Sequence, residues 1–259
     1  MLSTTFSGSF YAGARPGLSA NPAPPISAIN ISIWYDAADS VYFVPSNPAS
    51  GTNITQWSDK SGAARNAGPS GGANKPDYIT NEQNGKNVLR FSATDNMQIT
   101  GATWTRSQSA FAVYAVARAA TLSGVRTITA TDTNGYKISY NGTNWFVSGV
   151  GLSGISTIAG DTTKFHIHGF LFDGSGATNS DKFTYRYDLS AATLTFTGTA
   201  ASATSNLSNA FDIAWWSNGS SPTKEYFTGD VAEIIVFTRK ITTSEIDFVE
   251  NYLKNKWGL

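Results

Sequence analysis

The stretch GDVAEIIVFTRKITTSEIDFVENYLKNKWGL, residues 229–259, changes its period halfway along. DVAEIIVF (230–237) is a short apolar run of strand length. Beyond it, Thr242 and Glu245 form the T-x-x-E spacing of a capping box, in which hydroxyl and carboxylate satisfy free amides of a helix's first turn. Ile246, Val249, Leu253 and Trp257 then recur at i, i+3, i+7 and i+11, a single apolar stripe at helical period. Gly258 is placed to stop it. The stretch therefore reads as a strand followed by an amphipathic helix.

That helix governs a motif inside it. EIDFVE, Glu245–Glu250, has the E-x-D-x-x-E spacing in which a family of β-glucan-cleaving glycosidases carries its nucleophile and its acid/base. Retaining glycosidases hold two carboxyl groups about 5–5.5 Å apart across the sugar bond. Alternate residues of a strand can supply this, because they share a face. On a helix, Glu245 and Asp247 point roughly 160° apart, and Glu245 and Glu250 roughly 140° apart. As a strand the segment would lose both cap and stripe. Leu253 also stands where that signature expects a small or amide residue. The motif is expected to be structural.

The rest of the chain is β in pattern from Ile29 onward. FAVYAVAR (111–118) is apolar on both alternating faces, as a strand buried in a sandwich should be. TLTFT (193–197) puts Leu194 and Phe196 on one face and threonines on the other, and KFTYRYDL does the same with Phe183, Tyr185 and Tyr187. GYKISYNGTNWFVSG (135–149) reads as a hairpin with Asn141-Gly142 as a type I′ turn. KFHIHGFLFDGSG and FDIAWW supply further strands. Many short strands at regular spacing predict an all-β jelly-roll sandwich of two antiparallel sheets with one C-terminal helix, in a single domain over 29–259. Charged residues make up only 14%, against roughly 25% in an ordinary domain, a shortfall that suits short strands and many turns.

Residues 1–28 read as an extended N-terminal arm. Pro16, Pro22, Pro24 and Pro25 exclude helix interiors and central strands, and the arm holds too little apolar area for a core of its own. Phe6, Phe10, Tyr11 and Arg15 are its candidate assembly contacts. The N-terminal sequence lacks a basic region followed by an apolar run, so synthesis in a host cytoplasm without general export is expected. The chain has no cysteine, and Lys+Arg 18 balance Asp+Glu 18. Without a basic cluster no nucleic-acid partner is expected. No apolar run is long enough to span a membrane, so no insertion is expected either. Zero net charge removes repulsion between copies and suits a homo-oligomer or lattice.

IWYDAADS (33–40), ITQWSDKSGAARNAG (54–68), KPDYITNEQNGKNVLRFSATDNMQI (75–99) and the stretch quoted first form an ordered set. Over roughly residues 30–259 this set resembles the LamG-like branch of the concanavalin A-like lectin/glucanase superfamily. That branch occurs in bacterial surface proteins and bacteriophage structural proteins. The resemblance implies a concanavalin A-like jelly roll with the helix beside the final strand. The superfamily includes enzymes, lectins and structural modules. With the E-x-D-x-x-E motif read as structural and no export signal, the expectation is a non-enzymatic role on a bacteriophage virion surface, as a capsid decoration or appendage anchored to other virion proteins by the arm, which lies outside the resemblance. Weak adhesion to a host surface glycan fits the same fold. A stand-alone carbohydrate-binding module is the alternative, and a glycoside hydrolase a more remote one.

Trp104, Trp145, Trp215 and Trp216 are candidates for stacking on sugar rings. Tyr140 and Trp145, beside the Asn141-Gly142 turn, are the expected glycan contacts. Asp59, Lys60, Gly62 and Arg65 in WSDKSGAARNA read as an Asx-type turn. His166 and His168 share a strand face and could present two imidazoles to a metal, although a strand histidine is more often hydrogen-bonded in the core. Asp36, Asp39, Asp95 and Asn96 are the oxygen donors that could suit Ca²⁺, the one cofactor considered, with turn capping as the simpler reading. No cofactor or metal is otherwise expected. Neither histidine neighbours a G-x-S-x-G elbow, and no catalytic residue is expected.

Overall fold

The computed structural model describes residues 29–71, 74–131, 135–207, 210–216 and 224–259. The arm, with Phe6, Phe10, Tyr11 and Arg15, lies outside the described residues. In chain order the strands are β1 (Ile33–Asp36), β2 (Phe43–Val44), β3 (Thr52–Asn53), β4 (Gln56–Trp57), β5 (Asp77–Gln83), β6 (Lys86–Phe91), β7 (Met97–Thr100), β8 (Ala110–Ala119) and β9 (Arg126–Thr131). They continue with β10 (Tyr136–Tyr140), β11 (Asn144–Gly149), β12 (Leu152–Ala159), β13 (His166–Asp173), β14 (Phe183–Tyr187), β15 (Ser190–Ala191), β16 (Leu194–Gly198), β17 (Ala210–Ile213) and β18 (Gly229–Phe237). Two helices accompany them, α1 (Asn179–Lys182) and α2 (Thr243–Trp257).

The first sheet runs β15-β14-β13-β8-β18-β6-β5-β3, with β1 also on β18, and the second runs β16-β12-β11-β10-β9-β17-β7. Both are antiparallel throughout, the jelly-roll sandwich that the strand pattern predicts. The alternation in β8 explains how the layers form. Phe111, Val113, Ala115 and Ala117 face the space between the sheets, while Ala112, Tyr114 and Val116 join a second core beneath α2. Val249, Leu253 and Trp257 fill that second core from the helix side, each such side chain contributing about 1.5–3 kcal/mol on burial. The capping box is present, with the Thr242 hydroxyl accepting from Glu245 N, and Gly258 ends α2 in the left-handed conformation at φ 67°. The sequence pattern showed this helix alone; the structure adds α1, a single turn capped by Thr178.

β18 is central to the first sheet and changes partner midway. Residues 229–231 pair with β6, and residues 233–236 pair with β1. Its register against β8 shifts between Val231 and Glu233. A bulge of this kind adds one residue and re-aims the side chains beyond it. Consequently Ala232 and Glu233 both face α2, while Ile234 returns to the space between the sheets. Glu233 has no exposed surface. Its carboxylate accepts hydrogen bonds from Trp34 Nε1 at 2.7 Å, Tyr252 Oη at 2.9 Å and Trp257 Nε1 at 2.7 Å, and pairs with Lys256 Nζ at 2.7 Å. Lys256 also reaches Asp36 at 2.5 Å, which Lys60 holds from the other side at 2.7 Å. Burial pushes the Glu233 carboxyl up and Asp36 adds to this, against the opposing pull of Lys256. For Asp36 burial works the same way, but Lys256 and Lys60 outweigh it and the net shift is downward.

Glu233→Ala should therefore destabilise the domain by about 3 kcal/mol or more, because it leaves three donors, Trp34 Nε1, Tyr252 Oη and Trp257 Nε1, without their acceptor, while Lys256 keeps Asp36. Glu233→Gln, which keeps an acceptor, should cost less. Urea unfolding midpoints of the two variants against the parent check the order.

Candidate functional site

The E-x-D-x-x-E segment is the start of α2, and its carboxylates have structural partners. Glu245 accepts from Thr242 N at 2.8 Å and from Arg239 at 2.6 and 3.0 Å. The Arg239 hydrogen bonds and those of the cap hold its carboxyl at about 2. Glu250 is buried and forms a two-pronged pair with Arg186, the second prong at 2.7 Å. The buried Glu250 was not legible as an ion-pair partner, since Arg186 lies on a strand 64 residues earlier. Asp247 is exposed on a different side of the helix.

Tyr140 and Trp145 are not glycan contacts. The structure corrects that expectation: they are 4% and 1% exposed and lie directly opposite each other across β10 and β11, facing into the core. The Trp145 ring sits 4.3 Å from that of His168. The turn also differs from the expected form. Asn141 and Asn144 are its paired ends, and Gly142, at φ 93°, takes the first central position, where a type II′ turn needs glycine. The Asn141 side chain accepts from Thr143 N and Asn144 N at 3.0 and 2.8 Å, which fixes the tip. A tight turn lies near these rings, but period-two alternation decides which way they point.

Of Trp104, Trp145, Trp215 and Trp216, it is Trp216 that lines an open groove. The strand FDIAWW ends at Ile213, because Ala214 adopts a left-handed backbone at φ 61°. Trp216 and Glu225 exchange backbone hydrogen bonds at 3.1 Å in both directions. Trp215 turns inward and stacks on Tyr226, leaving Trp216 half-buried at the groove wall. The groove has a volume of about 230 Å³ and is lined by Thr131, Lys137, Ser148, Gly149, Gly151 and Trp216 among others. Lys137 Nζ lies 4.3 Å from the Trp216 ring centroid and 2.8 Å from each Glu225 oxygen. Glu225 in turn accepts from Thr127 Oγ1 at 2.7 Å. Gly149 is required here, since a Cβ would fall 2.0 Å from the Gly135 carbonyl. A flat aromatic wall, an ammonium neutralised by Glu225 behind it, and hydroxyls converge on a space below drug-pocket size. Such a set suits a small polyhydroxylated ring, with apolar C–H groups against the indole and hydroxyls toward the ion pair. Trp216 was a candidate in the sequence; Lys137 and Glu225 carried no signal, being 88 residues apart.

The remaining candidates have structural roles. Asp59 accepts from Trp34 N, Ser61 N and Arg65 N, the turn the sequence predicts around Gly62. Asp36 and Asp39 are both paired with Lys60, Asp95 caps Ser92, and Asn96 accepts from Ser70 N. Among the described residues no group of three or more His, Asp or Glu side chains is arranged to hold a metal. His168 is buried against Tyr185, Nδ1 to Oη at 2.8 Å, and burial and then His166 depress its pKa to about 3. His166 sits between Asp188 at 2.7 Å and Asp161 at 3.3 Å. Burial would lower its pKa, but the two carboxylates outweigh it and raise it. Among the described residues no helix is long and apolar enough to cross a membrane.

No known family model matches the chain, and no curated protein does. Solved structures do. The fold is a concanavalin A-like jelly roll. A sialidase of Trypanosoma rangeli in complex with sialic acid matches at TM-score 0.58 and 13% identity over 88% of this chain. A mutant of that sialidase displaying trans-sialidase activity matches at 0.57 and 12% over the same share. The binding domain of botulinum neurotoxin DC in complex with rat synaptotagmin II matches at 0.53 and 12%, again over 88%. The jelly roll spans 33% of the sialidase chains and 52% of the toxin chain. At these identities the likeness is one of fold.

The two histidines should pull stability in opposite directions with pH. His168 must take up a proton on unfolding below its ordinary 6.5, so stability should fall as pH drops from there toward 3, with a slope of up to ~1.4 kcal/mol per pH unit. The His166 contribution should be whole below 6.5 and lost as pH rises through its raised value. Urea midpoints from pH 3 to 9 for the parent and for His168→Gln test this; the variant's acid limb should be shallower.

Proposed function

We propose that this chain is a non-catalytic adhesion module of a bacteriophage virion surface, binding one unit of a neutral host glycan in the Trp216–Lys137 groove. The observation that carries this reading is the groove itself: an aromatic wall beside a closed Lys137–Glu225 pair, which offers donors and acceptors without net charge. A neutral sugar matches that balance better than a charged one. The non-catalytic part is supported by the helical setting of the E-x-D-x-x-E motif, whose outer glutamates are held by Arg239 and Arg186. The virion part is supported by the sequence resemblance. A similarly folded sialidase region occurs in a complex with sialic acid, which fits a sugar as the ligand class.

Trp216→Ala should weaken glycan binding about tenfold, the worth of one aromatic contact near 1.4 kcal/mol. Tyr140→Phe should leave binding unchanged, because that ring faces the core. A glycan array followed by titration calorimetry checks both, and an array on which the parent binds nothing removes the adhesion reading.

A purely structural virion role is the second reading, favoured by zero net charge and by the composition of residues 1–28. Deleting residues 1–25 should then leave melting unchanged but abolish incorporation into particles. Thermal melts and particle composition are the two measurements, and normal incorporation without the arm would remove the anchor.

A further inference from the structure

We propose that the free edge of β16 is a homodimer interface whose partner is a second copy of this chain. β16 closes one side of the second sheet. It pairs with β12 and, among the described residues, with no strand on its other side. From the last residue of the strand onward the edge is blocked, since Asn179 Nδ2 donates to the Gly198 carbonyl at 3.0 Å and Lys182 Nζ to that of Ala200 at 2.9 Å. The open part is the run just before, TLTFT at 193–197.

Exposed edges usually carry a lysine, a proline, a bulge or an inward charge that discourages pairing. This run has no charge and no proline, and its register against β12 is unbroken from Leu194 to Gly198. Its threonines are exposed, while Leu194 and Phe196 pack on the core yet remain only half-buried. An edge built in this way leaves both hydrogen-bonding groups and apolar surface unfinished.

The run is also nearly its own mirror in the sense that matters for a two-fold. Set antiparallel about Thr195, two copies place Thr195 opposite itself, Leu194 opposite Phe196 of the copy, and Thr193 opposite Thr197. Directly opposed residues share a face, so the apolar pairs stay on the core side and the threonines on the outer side in both copies. A slip by one residue would set threonine against phenylalanine, which selects this register. The charges agree: none lies on the strand, and the chain's net charge is zero, so nothing repels the copy. The contact is isologous and closes at two subunits. It would join the two second sheets into one, with both Trp216 grooves on it and a gain in avidity. That gain rests on the glycan reading; the interface does not.

The absence of cysteine gives a direct test. Opposed residues on antiparallel strands have Cα atoms about 4.5–5.5 Å apart, within disulfide reach. Thr195→Cys should therefore form a disulfide-linked dimer under mild oxidation, while Ser123→Cys, exposed elsewhere, should not. The full chain should sediment at twice its 27.6 kDa mass. Thr195→Lys, which opposes like charges on the two-fold, should sediment as a monomer with an unchanged melting temperature. The proposal is overturned if the parent is monomeric at its highest soluble concentration. It is equally overturned if a dimer survives Thr195→Lys, including one that disappears only when residues 1–28 are removed. Should Thr195→Lys fail to fold, the crosslink decides alone, and no more dimer than Ser123→Cys yields rejects the interface.

Discussion

A carboxylate without exposed surface, Glu233, ties β18, β1 and α2 together around the second core. Removing a charge from water costs several kcal/mol, and only dense pairing offsets it. Here the partners come from both sides: Trp34 from β1, and Tyr252, Lys256 and Trp257 from α2. The bulge in β18 aims Glu233 at them, at the point where β18 passes from β6 to β1. Helix, bulge and strand exchange therefore depend on one another. Moving the helix would strand the charge, and straightening the strand would turn Glu233 into the sandwich.

With α2 pinned in this way, the first sheet is covered along the first two turns of the helix, and its open space lies beside the helix's C-terminal end, where His166, Asp188 and Lys254 line a cavity of about 410 Å³. Arg186 and Glu250 close over Tyr114, and Arg239 closes on Glu245. The space between the sheets is filled by rings, with Tyr136 against Phe111 and Phe170, and Phe183 against Phe170 and Phe172. Tyr140 and Trp145 extend that stack as far as His168. The second sheet carries exposed chemistry of its own. Its outer side carries the Lys137–Glu225 pair beside Trp216, and its β16 edge is open among the described residues.

Local patterns proved sufficient wherever the physical cause is local. The capping box, the apolar stripe of α2 and the alternation in β8, β14 and β16 all appear as their periods require, because side-chain direction on a regular element depends on spacing alone. The Asp59 turn is similar, its partners Ser61 and Arg65 lying within six residues. Failures occurred where a local cue competed with alternation. The Asn-Gly dipeptide suggested an exposed hairpin tip, yet one residue of difference in the turn and the inward parity of Tyr140 and Trp145 put both rings in the core.

The sequence by itself determined the class of fold, the helix and the structural meaning of E-x-D-x-x-E, since each rests on propensity, capping and period within one segment. Only the tertiary structure decided where the charges go and which surface is left to act. Glu233 meets Trp34 across 199 residues, Glu225 meets Lys137 across 88, and Glu250 meets Arg186 across 64. Pairings of that separation are set by strand order and by a single bulge, and strand order follows from how two sheets bury their faces together rather than from any one stretch of chain.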